Sequence, residues 1–204
     1  MYVYLKGKIT KQLREYVEDI IKAVQKEIKP IFTFDCKLIG SGSSSLITIN
    51  PKQPSYDLDY NIILQKDKKG LLNNPRKIKE LFFNKFKECG NGFIDVIENS
   101  KSVITCKTTK SFDLYFSFDI AIMYEENDGF LYKIIFDKPK QAYYWNKVKN
   151  SNQFEQKFLI LKRSGYFQEI KELYLNKKNT INNKSSFSLL IEVVNELWNK
   201  YGYK

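Results

Sequence analysis

The stretch SFDLYFSFDIAIM, residues 111–123, alternates with a period of two. Phe112, Leu114, Phe116, Phe118, Ile120 and Ile122 fall on one side, and Asp113, Tyr115, Ser117, Asp119, Ala121 and Met123 on the other. A strand of this kind has one face that must be buried and one that carries acids. DLDYNIIL, residues 57–64, repeats the pattern, with Asp57, Asp59 and Asn61 opposite Leu58, Tyr60 and Ile62. The chain therefore has to build a sheet with one face in the core and the other holding acids.

The remaining periodicities supply the cover. Residues 9–29 place Ile9, Leu13, Tyr16, Val17, Ile20, Ile21, Val24 and Ile28 on one helical stripe that Pro30 ends. IFTFDCKLI reads as a strand running into the Gly-Ser turn at 40–43, and a second helix spans about 74–89, closed by Gly90. FIDVIE, SVITCKT and FLYKIIF read as further strands, the last after the turn Asn127-Asp128-Gly129. Beyond KPKQAYYWNKVKN the pattern is helical at 154–162, 167–175 and 186–200, and NKKNTINNK reads as a polar connector. The expectation is an α+β protein: a mixed-sheet core over residues 1–139 and a short helical subdomain over 140–204.

At 204 residues, 43% of them hydrophobic, the chain can bury a real core. It contains no histidine, which removes histidine general bases, Ser-His-Asp triads and most zinc sites. Cys36, Cys89 and Cys106 are odd in number and lack CxxC spacing, so they are expected to be reduced thiols in a cytoplasmic protein. No signal peptide and no membrane-length apolar run is visible. The net charge of +11 favours a polyanionic partner, nucleic acid or nucleoside triphosphate, although a lysine-rich composition alone would also produce it.

If the two acid-bearing strands are neighbours, Asp57 and Asp59 converge with one of Asp113 and Asp119. Those two lie roughly 20 Å apart along a strand, so only one can join, and Asp119 is the better placed. Three carboxylates in one place repel unless a cation holds them, and an all-oxygen set suits Mg²⁺. On their own, Asp57 and Asp59 would also fit the solvent face of an edge strand. The turn Gly40, Ser41, Gly42, Ser43 adds small side chains and accessible amides of the kind a phosphate needs.

Together, Gly40-Ser41, Asp57-Leu58-Asp59 and a third acid in a distal strand resemble the nucleotidyltransferase superfamily that includes DNA polymerase beta and poly(A) polymerases, over residues 31–123. FLILKRSGY and KSSFSLLIEVV are similar to the helical half of cyclic GMP-AMP synthase and oligoadenylate synthetase. The resemblance implies a Mg²⁺-dependent nucleotidyltransferase, with Mn²⁺ as a possible substitute, that moves a nucleoside monophosphate from an NTP to a hydroxyl of a nucleotide or an RNA 3′ end. It implies that Asp57, Asp59 and Asp119 hold two metal ions, that Gly40 and Ser41 grip the phosphates, that Lys162 neutralises triphosphate charge, that Ser186 adds a hydroxyl contact and that Phe187 stacks on a base. Ser41 and Asp57 are separated by 15 residues, longer than the family norm, which leaves Gly42-Ser43 open as the phosphate grip. Two other readings stand beside this one. The first is a minimal enzyme modifying an antibiotic or a protein. The second is a non-catalytic nucleic-acid-binding module using Lys147, Lys149, Lys177 and Lys178 with Tyr143, Tyr144 and Trp145.

Overall fold

A computed structural model describes residues 1–5, 7–108, 115–148, 152–181 and 183–203. In chain order the elements are β1 (Val3–Tyr4), α1 (Gly7–Ile28), β2 (Phe32–Ile39), α2 (Gly40–Ser43), β3 (Thr48–Ile49), β4 (Ser55–Asp67), α3 (Pro75–Cys89), β5 (Val96–Asn99), β6 (Ile104–Thr108), β7 (Tyr115–Glu125), β8 (Leu131–Asp137), β9 (Ala142–Lys147), α4 (Asn152–Arg163), α5 (Phe167–Thr180) and α6 (Ser186–Lys200). Asp113 and Lys149 lie outside the described residues, as do Phe112 and Leu114.

Seven strands form one sheet in the order β2-β4-β7-β6-β5, with β8 continuing from β7 and β9 from β8. β4 and β7 run parallel and every other pair in this sheet is antiparallel, so the sheet is mixed and the class is α+β. The alternation sets which face is covered. Leu58, Tyr60 and Ile62 of β4 and Phe116, Phe118, Ile120 and Ile122 of β7 are buried in one cluster with Leu13, Val17, Ile20, Ile21, Val24 and Ile28 of α1 and Ile78, Phe82 and Phe86 of α3. Side chains of that size are each worth about 1.5–3 kcal/mol when withdrawn from water, so the register of both strands is tightly held. α3 begins where Asn74 caps it, its side chain accepting from the Lys77 amide at 3.0 Å, with Pro75 at the first helical position.

The other face of the sheet carries the acids and meets the C-terminal helices. Those helices have their own apolar cluster, built from Phe158, Leu161, Ile170, Tyr174, Leu189, Leu190, Val193, Val194 and Leu197, and Leu46 from the loop after α2 joins it. The short β1 ribbon pairs with β3, and the Tyr4 hydroxyl donates to the Lys171 carbonyl of α5 at 2.7 Å.

Three features differ from expectation. The sheet continues past residue 139, because AYYWNK forms β9 and packs its aromatics; Phe136 and Tyr143 stack at 4.6 Å, and Trp145 donates its indole N–H to the Leu72 carbonyl at 2.7 Å. α5 runs on through Thr180, absorbing the first half of NKKNTINNK. Tyr16 leaves the buried stripe of α1 and stacks on Phe93 at 5.2 Å while 52% exposed.

Candidate active site

Parity turns Asp57, Asp59 and Asn61 away from the core, and strand pairing then decides their neighbours. The parallel register of β4 with β7 sets Asp59 beside Asp119 and Asp57 beside Ser117. Across β7, the antiparallel register sets Thr105 of β6 opposite Asp119. Directly paired side chains on one face are about 5 Å apart, so three carboxylates share a small area. Ser117 Oγ donates to Asp57 Oδ1 at 3.1 Å.

The electrostatics follow from this crowding. Burial, then the neighbouring Asp119 and Asp57 charges, push the Asp59 carboxyl up to about 6. Burial raises Asp119 as well; a hydrogen bond from Thr105 pulls it back, the Asp57 charge raises it, and Lys107 lowers it. Asp119 Oδ1 is buried with no hydrogen-bond partner. With Asp57 turned to Ser117, no three acidic or thiol side chains among the described residues close into a ligand set as they stand. Asp59 and Asp119 are paired directly across the two strands, and Asp57 lies two residues before Asp59 on the same face.

The Gly-Ser turn forms α2, a single helical turn against this row. Gly40 sits at φ +65°, and a Cβ there would lie 3.2 Å from Asp59 Oδ2. Gly42 faces the other way: its Cβ would lie 2.9 Å from Leu58 Cδ2 and 3.1 Å from Leu38 Cδ1, so the absent side chain lets α2 settle on the core. Ser43 Oγ donates to the Gly40 carbonyl at 2.9 Å and closes the turn.

A cavity of about 700 Å³ opens between this face and the C-terminal helices. Gly40, Ser41, Ser43, Asp57, Asp59, Ser186 and Phe187 line it, together with Asn61, Thr48, Phe154, Tyr174 and Lys178. Asp119 stands one strand behind Asp59 and does not itself line the cavity. Gly42 does not line it either, for the packing reason above, so Gly40-Ser41 and Ser43 are the parts of the turn that face the space. Phe187 is 44% exposed and packs edge-on against Phe154 at 5.3 Å, leaving a ring surface at the mouth.

Lys162 is elsewhere. It is exposed on α4 with its ammonium 4.8 Å from the centre of the Phe167 ring, outside the cavity lining. Two lysines line the cavity: Lys37 of β2, whose ammonium lies 3.4 Å from Glu155 Oε2, and Lys178 of α5, which donates to Thr48 Oγ1 at 2.7 Å and lies 4.7 Å from the centre of the Tyr2 ring. Burial lowers the Lys178 pKa and the Asp57 charge opposes that shift. The signal for Lys178 lies in the sequence: Ile170 and Tyr174 are buried on α5, and Lys178 is the next step of the same i, i+4 stripe. Reading 176–184 as a connector breaks that stripe before it reaches the lysine.

No protein-family model matches the sequence, and no curated protein matches it. Solved structures do. Escherichia coli CdnC in a HORMA complex aligns with 99% of this chain at TM-score 0.62 and 12% identity, and a STING-associated CdnE c-di-GMP synthase from Flavobacteriaceae aligns with 94% at TM-score 0.61 and 15% identity. The fold is that of the cGAS/DncV-like nucleotidyltransferases. Vibrio cholerae DncV cyclic AMP-GMP synthase, solved with nonhydrolyzable GTP, has the same fold at TM-score 0.57 and 12% identity, over 94% of this chain and 68% of its own. The present chain spans 62% of the CdnC chain and 64% of the CdnE chain. Among the described residues, no helix is long and apolar enough to cross a membrane.

Proposed function

We propose that this chain transfers a nucleoside monophosphate from an NTP to a hydroxyl, releasing pyrophosphate. The observation that carries the reading is that Gly40, Asp57 and Asp59 line a cavity large enough for a nucleotide, with Asp119 paired to Asp59 on the strand behind. In the reaction the acceptor oxygen bonds to the α-phosphorus, the bond from that phosphorus to the bridging oxygen breaks, and the acceptor proton passes to solvent. The nucleotide complexes of proteins with this fold support an NTP as the donor.

The donor chemistry fits a divalent cation. The set is all oxygen, Asp59 carries a charge its surroundings resist, and Asp119 keeps a buried oxygen without a partner. Asp57, Asp59 and Asp119 would hold Mg²⁺, which when bound neutralises phosphate charge and favours the deprotonated acceptor hydroxyl. Ser41, Ser43 and the amides of the turn would contact the terminal phosphates. Lys178 would take the triphosphate charge, held ready by Thr48, in place of Lys162. Ser186 and Phe187 would bound the nucleoside. Catalysis then rests on positioning and charge neutralisation, with no side-chain nucleophile.

The acceptor follows from charge: a net +11 favours a nucleotide or an RNA 3′ end over a cationic acceptor. Incubation with each α-labelled NTP and Mg²⁺, with and without total RNA, tests the reading. Label should enter a new product with release of pyrophosphate, and Asp57→Asn, Asp59→Asn or chelation should stop it. Turnover that survives either Asn substitution in a folded protein would overturn it.

A further inference from the structure

The ribbon of β1 and β3 lies against α5 through a repeated contact. Tyr4 and Thr48 are paired in register, and the Leu5 amide donates to the Ile47 carbonyl at 3.0 Å. Tyr2 and Tyr4 alternate with Val3, and each ring meets a lysine of α5: the Lys171 ammonium lies 4.8 Å from the centre of the Tyr4 ring and that of Lys178 4.7 Å from the centre of the Tyr2 ring. The two lysines are seven residues apart, two turns along one side of the helix. A two-stranded ribbon this short is marginal by itself, so its place is set by these contacts.

Asn179, the residue after Lys178, completes the grip. Its Oδ1 accepts from the Tyr2 amide and its Nδ2 donates to the Tyr2 carbonyl at 3.3 Å, as a neighbouring strand would. The backbone of Tyr2 is thereby fixed, and Tyr2 lines the cavity beside Lys178 and Thr48. The Lys178 ammonium stands among three groups: the Tyr2 ring, the Tyr174 ring at 5.8 Å and the Thr48 hydroxyl at 2.7 Å. All three are neutral, and Tyr174 and Thr48 are buried. Lys37, by contrast, pairs with Glu155, whose charge competes with any anion in the cavity. Ring faces and a hydroxyl orient an ammonium without neutralising it, so Lys178 keeps its full attraction for phosphate.

We propose that Tyr2 and Thr48 are positioning residues that fix the Lys178 ammonium at the cavity wall for the triphosphate of the donor. The inference rests on the triphosphate role given to Lys178 above. It makes the β1–β3 ribbon part of the donor site, through a clamp in which α5 holds Tyr2 and Tyr2 holds a lysine of α5.

Calorimetric titration of the full chain with a nonhydrolyzable NTP and Mg²⁺, and with the matching NMP, tests it without turnover. Tyr2→Leu removes the ring face and Thr48→Val removes the hydroxyl while keeping the shape. Each should weaken NTP binding about fivefold and leave NMP binding within about twofold, whereas Tyr2→Phe and Thr48→Ser should bind NTP nearly as the wild type does. In a Lys178→Met background, Tyr2→Leu and Thr48→Val should cost no further NTP affinity, because the group they position is gone. If one of the two variants does not fold, the other carries the test. Wild-type NTP affinity in the folded variants overturns the inference, as do equal losses for NTP and NMP or a full loss that persists in the Lys178→Met background. Lys178→Met alone separates the two levels. If it binds NTP as the wild type does, the role of Lys178 itself fails; if it binds weakly while Tyr2→Leu and Thr48→Val bind normally, only the positioning role fails.

Discussion

A carboxylate flanked by two others is a poor place for negative charge unless a cation shares it. Asp59 shows the cost directly, held up to about 6 by burial and by Asp119 and Asp57. Because its folded value exceeds its unfolded one near 4, the ionised group destabilises the metal-free fold above about pH 6, and the penalty is relieved as pH falls from there toward 4. The chain has no histidine, so little else titrates in that window. Metal-free protein should gain about 1 kcal/mol between pH 7.5 and 5.5, read by denaturant melts, and Asp59→Asn should remove that gain. A divalent cation relieves the same penalty at neutral pH, so the stabilisation by Mg²⁺ should shrink at pH 5.5, where protons compete for the site. A second residue-level expectation concerns the cationic wall: Lys178→Met should weaken Mg²⁺-NTP binding about tenfold, whereas Lys162→Ala should leave it within about twofold, as measured by calorimetry.

Among the elements, α2 depends on two glycines in different ways. Gly42→Ala would drive a methyl into Leu58 and Leu38 and displace the turn, costing about 1–3 kcal/mol in stability by thermal melts and loosening NTP binding with it. Gly40→Ala would crowd Asp59 Oδ2 and strain a positive φ, so its larger effect should fall on metal and nucleotide affinity. How far the sequence discloses such features depends on whether they are local. Period-two alternation exposes the acid face of β4 and β7 because parity belongs to the strand itself. That Asp119 stands opposite Asp59 is set by a parallel pairing between segments far apart in the chain, which alternation leaves open. The helix periods mark α1, α3 and α6 well, since each buries a full stripe. α5 is shorter in apolar signal and ends in lysines and asparagines, so its last turn, with Lys178, reads as a connector. The different orientations of Gly40 and Gly42 are a matter of packing against Leu58, which no spacing rule contains.

The whole molecule combines a sheet covered on one face by α1 and α3 with a second, smaller apolar cluster that closes the acid face into a cavity. The chain spans 62% of the CdnC chain and 64% of the CdnE chain whose fold it shares. If the acceptor is RNA, transfer should fall steeply between about 50 and 200 mM salt, while binding of the Mg²⁺-NTP donor changes far less, because backbone phosphate contacts release counterions. Calorimetric titration of a nonhydrolyzable NTP with Mg²⁺ into the wild type and into Asp57→Asn, Asp59→Asn and Asp119→Asn addresses the metal-holding acid row without any acceptor. The account predicts metal-dependent binding by the wild type and at least about a tenfold loss in each variant; equal binding by all four proteins, or binding indifferent to Mg²⁺, would contradict it.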